Sequence, residues 1–271
     1  TDYLGLIELL RDEDDLNVWT TVIASAHQLQ RILDDRQCVK LAKRLQDLFA
    51  PAVARLGWTP AKGESELAGQ LRGDLIGALG VLADDEACRR RAGELFAQYE
   101  TDSNSVDRNL VPALVSIVAH TGAAGKYEKF YNRFKTAKTP QDETRYLFAL
   151  AGFRPPELIE RTLQLTISGE VRTQNSPYLM RGILLTRHGR DKAWAFLKAH
   201  WQEMVREYPD NAIPRMCEGI IGLVDPALEA EARKFFAEHP VKQGAKQIEQ
   251  HLERLRVAVM CQQRWKDLLH D

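Results

Sequence analysis

"SPYLMRGILLTRHGRDKAWAFLKAHWQEMVREY" occupies residues 176–208. Ser176-Pro177 has the form of a helix cap followed by proline in the first turn, and Gly189 marks a stop where a left-handed residue suits glycine. A second helix follows, with Trp194, Leu197, Trp201, Met204, Val205 and Tyr208 on one stripe. Their i, i+3, i+4, i+7 spacing belongs to an amphipathic helix, not a strand. Two helices joined by so short a turn are antiparallel neighbours.

The same pattern extends outward in both directions. Trp19, Val22, Ile23, Ala26, Leu29 and Leu33 form one apolar stripe, and Val39, Ala42, Leu45, Leu48, Phe49, Ala52, Val53 and Leu56 another. Thr139-Pro140 with Asp142 resembles a capping box, Asp225-Pro226 repeats the cap-then-proline form, and Asn211 is placed to cap a helix containing Pro214. Gly57 and Gly122 mark further stops. The reading gives about fourteen helices, near 2–12, 15–35, 37–56, 65–83, 85–99, 107–121, 124–136, 140–152, 156–167, 177–188, 190–207, 212–223, 226–238 and 244–269. No convincing alternating strand is present. The expected fold is all-α: a HEAT-like α-solenoid of about seven antiparallel helix pairs, each unable to bury its stripe alone. No fixed-period repeat stands out, and no polar stretch is long enough to be a clear linker, so residues 1–271 read as a single domain.

Composition narrows the function classes. The chain has 271 residues, 44% hydrophobic and 28% charged, with net charge −1. Near-neutrality argues against nucleic acid as the main partner. No apolar run reaches the roughly 18 residues of a membrane span. The chain opens "TDYLGLIELL", without an initiator Met and with a helix already under way, as expected of a fragment. The absence of a signal peptide therefore says little about compartment. Cys38, Cys88, Cys217 and Cys261 are far apart and read as small buried hydrophobes.

Catalytic chemistry is not visible. The seven histidines form no HExxH, and no GxSxG elbow appears. "TGAAGKY" (121–127) fails the Walker spacing and reads as an interhelical turn. Arg89-Arg90-Arg91 reads as a solvated face, and the tryptophans as core. His188 and His200 read as structural or surface groups.

An ordered series of segments carries a resemblance. These are "NVWTTVIASAHQLQRIL" (17–33), "LFAPAVARLGWTPAKGESELAGQLRGDLIGALG" (48–80), "EVRTQNSPYLMRGILLTRHGRDKAWAFLKAHWQEMVREY" (170–208) and "RKFFAEHP" (233–240). Together they resemble the C-terminal helical domain of aminopeptidase N-like zinc aminopeptidases, with the puromycin-sensitive branch the nearest match. The resemblance implies a larger enzyme whose zinc, HExxH and distal Glu lie in a catalytic domain absent here. This chain would be non-catalytic. Its partners would be the catalytic domain of the same polypeptide, over which it closes, and peptide substrates. The positions matching the family are Arg72 in "QLRGDL", Arg145 in "ETRYLFAL", and Arg172 with Gln174 in "EVRTQ". Each arginine has two readings: contact with substrate or a docked domain, or a structural role as a salt bridge between helices or a helix C-cap contact. The alternative for the whole chain is a stand-alone HEAT-like scaffold for other proteins.

Overall fold

The computed structural model describes residues 2–122, 124–241 and 243–265. Among them are fifteen α-helices, two short 3-10 segments and no strand. The all-α expectation holds. The chain forms two compact units, one up to Thr121 and one from Gly122 onward.

The first unit contains α1 (Asp2–Glu8), α2 (Leu16–Ile32), α3 (Asp35–Leu56), α4 (Glu66–Val81), α5 (Glu86–Thr101) and α6 (Val111–Thr121). Helices α2, α4 and α6 lie side by side in one layer, while α3 and α5 pack across them in a second. The buried stripes meet between the layers. Trp19 is fully enclosed, lies 5.8 Å from the Phe49 ring and donates its indole N–H to the Glu13 carbonyl at 3.0 Å. Glycines on α4 set the spacing to α6. A Cβ at Gly73 would lie 2.5 Å from the Asn109 carbonyl oxygen, so only glycine fits there.

The second unit contains α7 (Ala124–Thr136), α8 (Pro140–Ala149), α9 (Pro156–Leu165), α10 (Ser176–Leu184), α11 (Arg190–Ala199), α12 (Trp201–Glu207), α13 (Ile213–Cys217), α14 (Pro226–Glu238) and α15 (Ala245–Arg264). Helices α8, α10, α13 and α15 stack in sequence as one layer. The other layer is joined by side chains. The Tyr127 and Thr162 hydroxyls, 2.9 Å apart, link α7 to α9, and Trp194 packs edge-on against Phe235 to link α11 to α14. This alternation of helices between two stacked layers is the solenoid arrangement. The repeat is also marked along the chain: Pro140, Pro177 and Pro214, in the first turns of α8, α10 and α13, are equally spaced.

Local expectations fared differently according to their physics. Thr139 caps α8 through the Asp142 amide, and Asp225 caps α14 through the amides of Ala227 and Leu228. Ser176 does not cap. It sits inside α10, buried, with its hydroxyl donating to the Arg172 carbonyl at 3.4 Å. That carbonyl also accepts from the Asn175 and Ser176 amides, so a turn already leads into the helix. Asn211 does not cap either; Ala212 is the residue preceding α13. Gly57 has the expected left-handed φ of 67°, but Gly189 has φ −104°. Gly189 is small because a Cβ would lie 2.6 Å from the Thr186 hydroxyl and 2.8 Å from an Ile183 methyl. The helix expected at 190–207 breaks at His200. Both halves keep one buried face, so periodicity does not register the break. The part of the last expected helix beyond residue 265, with His270, lies outside the described residues.

Candidate functional site

An apolar groove of about 460 Å³ runs between α8 and α10 in the second unit. Its floor and walls are Phe148, Ala151, Leu179 and Gly182, with Asn175, Tyr178 and Arg181 at the edges. Gly182 faces the Ala151 methyl just after α8, where a Cβ would make an ordinary contact at 3.4 Å. Phe148 leaves an unusually large apolar ring 38% exposed.

Ion pairs lie on the elements that form the groove, and of their members Arg181 lines it. Arg145 pairs with Asp142 one turn back on α8 at 2.5 Å. Arg172 reaches across from the 168–175 loop to Glu143 at 3.1 Å. Arg181 on α10 pairs with Glu218 at 2.9 Å, and Glu218 is shared with Arg254 on α15 at 3.4 Å. Arg215 donates to the Tyr178 hydroxyl at 2.8 Å. These pairs join four guanidiniums to three carboxylates, so the set carries excess positive charge on a chain that is nearly neutral overall.

The loop that delivers Arg172 is itself pinned. Gly169 turns it with φ 77°, and Val171 is buried beneath it. Glu170 accepts hydrogen bonds from the Tyr131 hydroxyl and, at 3.5 Å, from Lys135. The Tyr131 bond, with the nearby ammonium of Lys135, holds the Glu170 carboxyl below its usual range, and the same bond raises the Tyr131 phenol. The loop is thus tied to α7 by Glu170 and to α8 by Arg172, and Gln174, two residues further on, is exposed.

The expected site residues therefore separate. Arg145 and Arg172 come together through neighbouring carboxylates in the first turn of α8, and Gln174 lies on the same loop as Arg172. Arg72 belongs to the other unit and is fully enclosed. Its Nη2 pairs with Glu64 and its Nε donates to the Leu56 carbonyl at 3.3 Å, while Nη1 has no partner among the described residues. Beside that guanidinium the Glu64 carboxyl is held below its ordinary range. Arg72 thereby clasps the turn between α3 and α4, which bends at Gly57 and at Gly63, φ 79°. Sequence reading passed over Phe148, Tyr178, Arg181, Arg215 and Glu218. One signal was available: Arg181 follows Pro177 at the same offset as Glu218 follows Pro214.

Among the described residues no group of three or more His, Cys, Asp or Glu is placed to hold a metal ion, and no helix is long and apolar enough to cross a membrane. The family model of the ERAP1-like C-terminal domain matches residues 1–257. The chain belongs to this family. The ERAP1-like C-terminal domain here is 28% identical over 264 residues to aminopeptidase M1-A of Oryza sativa subsp. japonica, covering 94% of this chain and 30% of that protein. Aminopeptidase M1 of Arabidopsis thaliana is 27% identical over 268 residues, with 94% and 30% covered. The alanine/arginine aminopeptidase of Saccharomyces cerevisiae is 28% identical over 210 residues, with 76% and 24% covered. The chain thus spans less than a third of the length of these curated relatives. The resemblance to the C-terminal domain of aminopeptidase N-like enzymes is borne out: this is such a domain, all-helical from end to end of its described residues.

Proposed function

We propose that this domain is the non-catalytic cap of a zinc aminopeptidase that removes N-terminal amino acids from peptides. In this reading it closes over the catalytic domain of the same polypeptide and helps enclose the substrate. The zinc and its ligands would lie in that catalytic domain. The observation that carries the reading is the groove between α8 and α10, with an apolar lining that includes Arg181 and with Arg145 and Arg172 ion-paired on the α8 side. A peptide presents side chains to such a lining and a carboxylate to such arginines, and guanidinium is the cation best shaped for carboxylate. Closure of a domain over a site also excludes water and strengthens those contacts. Arg172, 63% exposed at its side chain, and Gln174 are the members of the expected set free to meet a ligand; Arg72 acts from the inside, by holding its own turn.

The test uses a full-length aminopeptidase carrying this domain. Arg172→Ala is expected to raise KM for peptides of eight or more residues while leaving hydrolysis of an aminoacyl amide unchanged. Equal loss on both substrates would sink the reading, since it would mean general damage and not a lost distal contact. The isolated chain is expected to show no peptidase activity with added zinc; chelator-sensitive cleavage by it would overturn the non-catalytic assignment.

A further inference from the structure

We propose that Glu218 is a built-in competitor for the groove, occupying the guanidinium that an incoming carboxylate would use. The inference rests on the peptide-binding reading above and concerns how that site is regulated. Arg181 lines the groove and has one edge half-used. Its Nη2 bonds Glu218, while its Nε, shielded from solvent, has no partner among the described residues. Nε–H and Nη2–H form the edge of a guanidinium that grips a carboxylate bidentately. Glu218 engages only one of these two donors, because its other oxygen is turned to Arg254 at 3.4 Å. A ligand carboxylate could take Glu218's place at Nη2, and Glu218 would keep Arg254 as its counter-charge.

Glu218 is not a loose surface acid. It begins the 3-10 segment Glu218–Gly222, which packs on α10 too closely for a side chain at Gly219 or Gly222. A Cβ at Gly219 would lie 2.6 Å from the Leu184 Cβ, and one at Gly222 would lie 2.4 Å from the Leu184 carbonyl oxygen. The carboxylate is therefore held beside Arg181 by backbone fit, and the two partners differ in place: Arg181 faces the groove, Arg254 stands on the next helix and is 56% exposed. Glu218 can shift its weight between them without leaving its position. The affinity of the groove for a carboxylate then depends on the balance of Glu218 between two arginines.

The experiment is a titration of the purified chain with N-acetyl-Ala-Ala-Leu, as the free acid and as the C-terminal amide, followed by NMR. Folding of each variant is checked by its melting curve. Glu218→Gln is expected to tighten the acid roughly three- to ten-fold, the scale of a partly exposed ion pair, and to leave the amide unchanged. Arg254→Gln is expected to do the opposite and weaken the acid, because Glu218 then belongs to Arg181 alone. Arg181→Gln is expected to erase the difference between acid and amide. Opposite signs exclude a merely structural role, and loss of the Glu218→Gln effect in an Arg181→Gln background separates competition at that guanidinium from bare charge. If the acid binds better than the amide but Glu218→Gln fails to tighten it, or tightens both alike, the competitor is refuted and the groove survives. If the acid shows no advantage in the parent chain or in Glu218→Gln, the carboxylate-binding reading falls too, and the competitor with it.

Discussion

Arg72→Met separates an arginine that holds the fold from one that meets a ligand. Methionine keeps most of the volume, so the cavity contribution is small. What is lost is electrostatic. The part-buried Leu56 carbonyl loses its donor, and leaving such an acceptor unpaired costs up to about 1–3 kcal/mol. The Glu64 carboxylate loses the guanidinium that holds its pKa below the ordinary range. At roughly 2–4 °C per kcal/mol for a domain of this size, the melting temperature should fall by about 2–12 °C. Arg172→Ala is the control: its pair with Glu143 is largely solvated at the arginine end and is worth about 0–1 kcal/mol. Differential scanning calorimetry reads both. Limited trypsin digestion reads the local event, since Lys62 is exposed between Gly57 and Gly63 and should be cleaved faster once the clasp is gone. Adding Glu64→Gln to Arg72→Met should restore part of the stability by neutralising the stranded carboxylate. An Arg72→Met protein that melts with the parent and is nicked no faster would refute the clasp. An Arg172→Ala protein less stable than Arg72→Met would refute the contrast between the two positions.

Two glycines on helices should respond with opposite sign. Gly73→Ala forces a methyl to within 2.5 Å of the Asn109 carbonyl oxygen and should cost about 1–3 kcal/mol. Gly93→Ala meets nothing within 4 Å and should stabilise α5 by up to about 1 kcal/mol, both read from urea unfolding midpoints. His251 supplies a pH test. Burial lowers its pKa from the ordinary 6.5, opposed by Glu218 and by its bond to the Pro214 carbonyl, with Arg254 and Arg181 adding to the lowering. The unfolded chain therefore takes up this proton first. The contribution is fully present above about pH 6.5 and is lost as pH falls below it. His251→Gln should show a smaller loss of stability between pH 7 and pH 5 than the parent; an unchanged slope would remove His251 from the account.

The legible and illegible features divide along physical lines. Thr139 and Asp225 were readable as caps because such a cap is a contact with amides two or three residues away. Ser176 had the same local signature and failed, since the preceding turn had already brought the Arg172 carbonyl to it. Gly57 was readable because backbone handedness is local. The smallness of Gly73 and Gly222 answers to a carbonyl on another element, which no window of sequence contains. The site followed the same rule. Arg145 and Arg172 were singled out by their motifs, but Phe148, Arg181 and Glu218 entered only when α8, α10 and the segment after α13 were laid side by side.

The sequence by itself determined the class of structure and the family. Apolar periodicity is a property of neighbouring residues on one helix, and a run of such helices with short turns has few ways to bury its stripes. The ordered segments from 17 to 240 carried the family likeness for the same reason, being read in chain order. Only the tertiary structure decided that Arg72 is enclosed while Arg172 is open, and that Glu143 and Glu218 answer arginines from other elements. A charged side chain ends several bonds from its backbone, so its partner depends on which repeat stacks beside it and at what height. That is set by packing between helices, as where Gly219 and Gly222 let the segment after α13 approach α10.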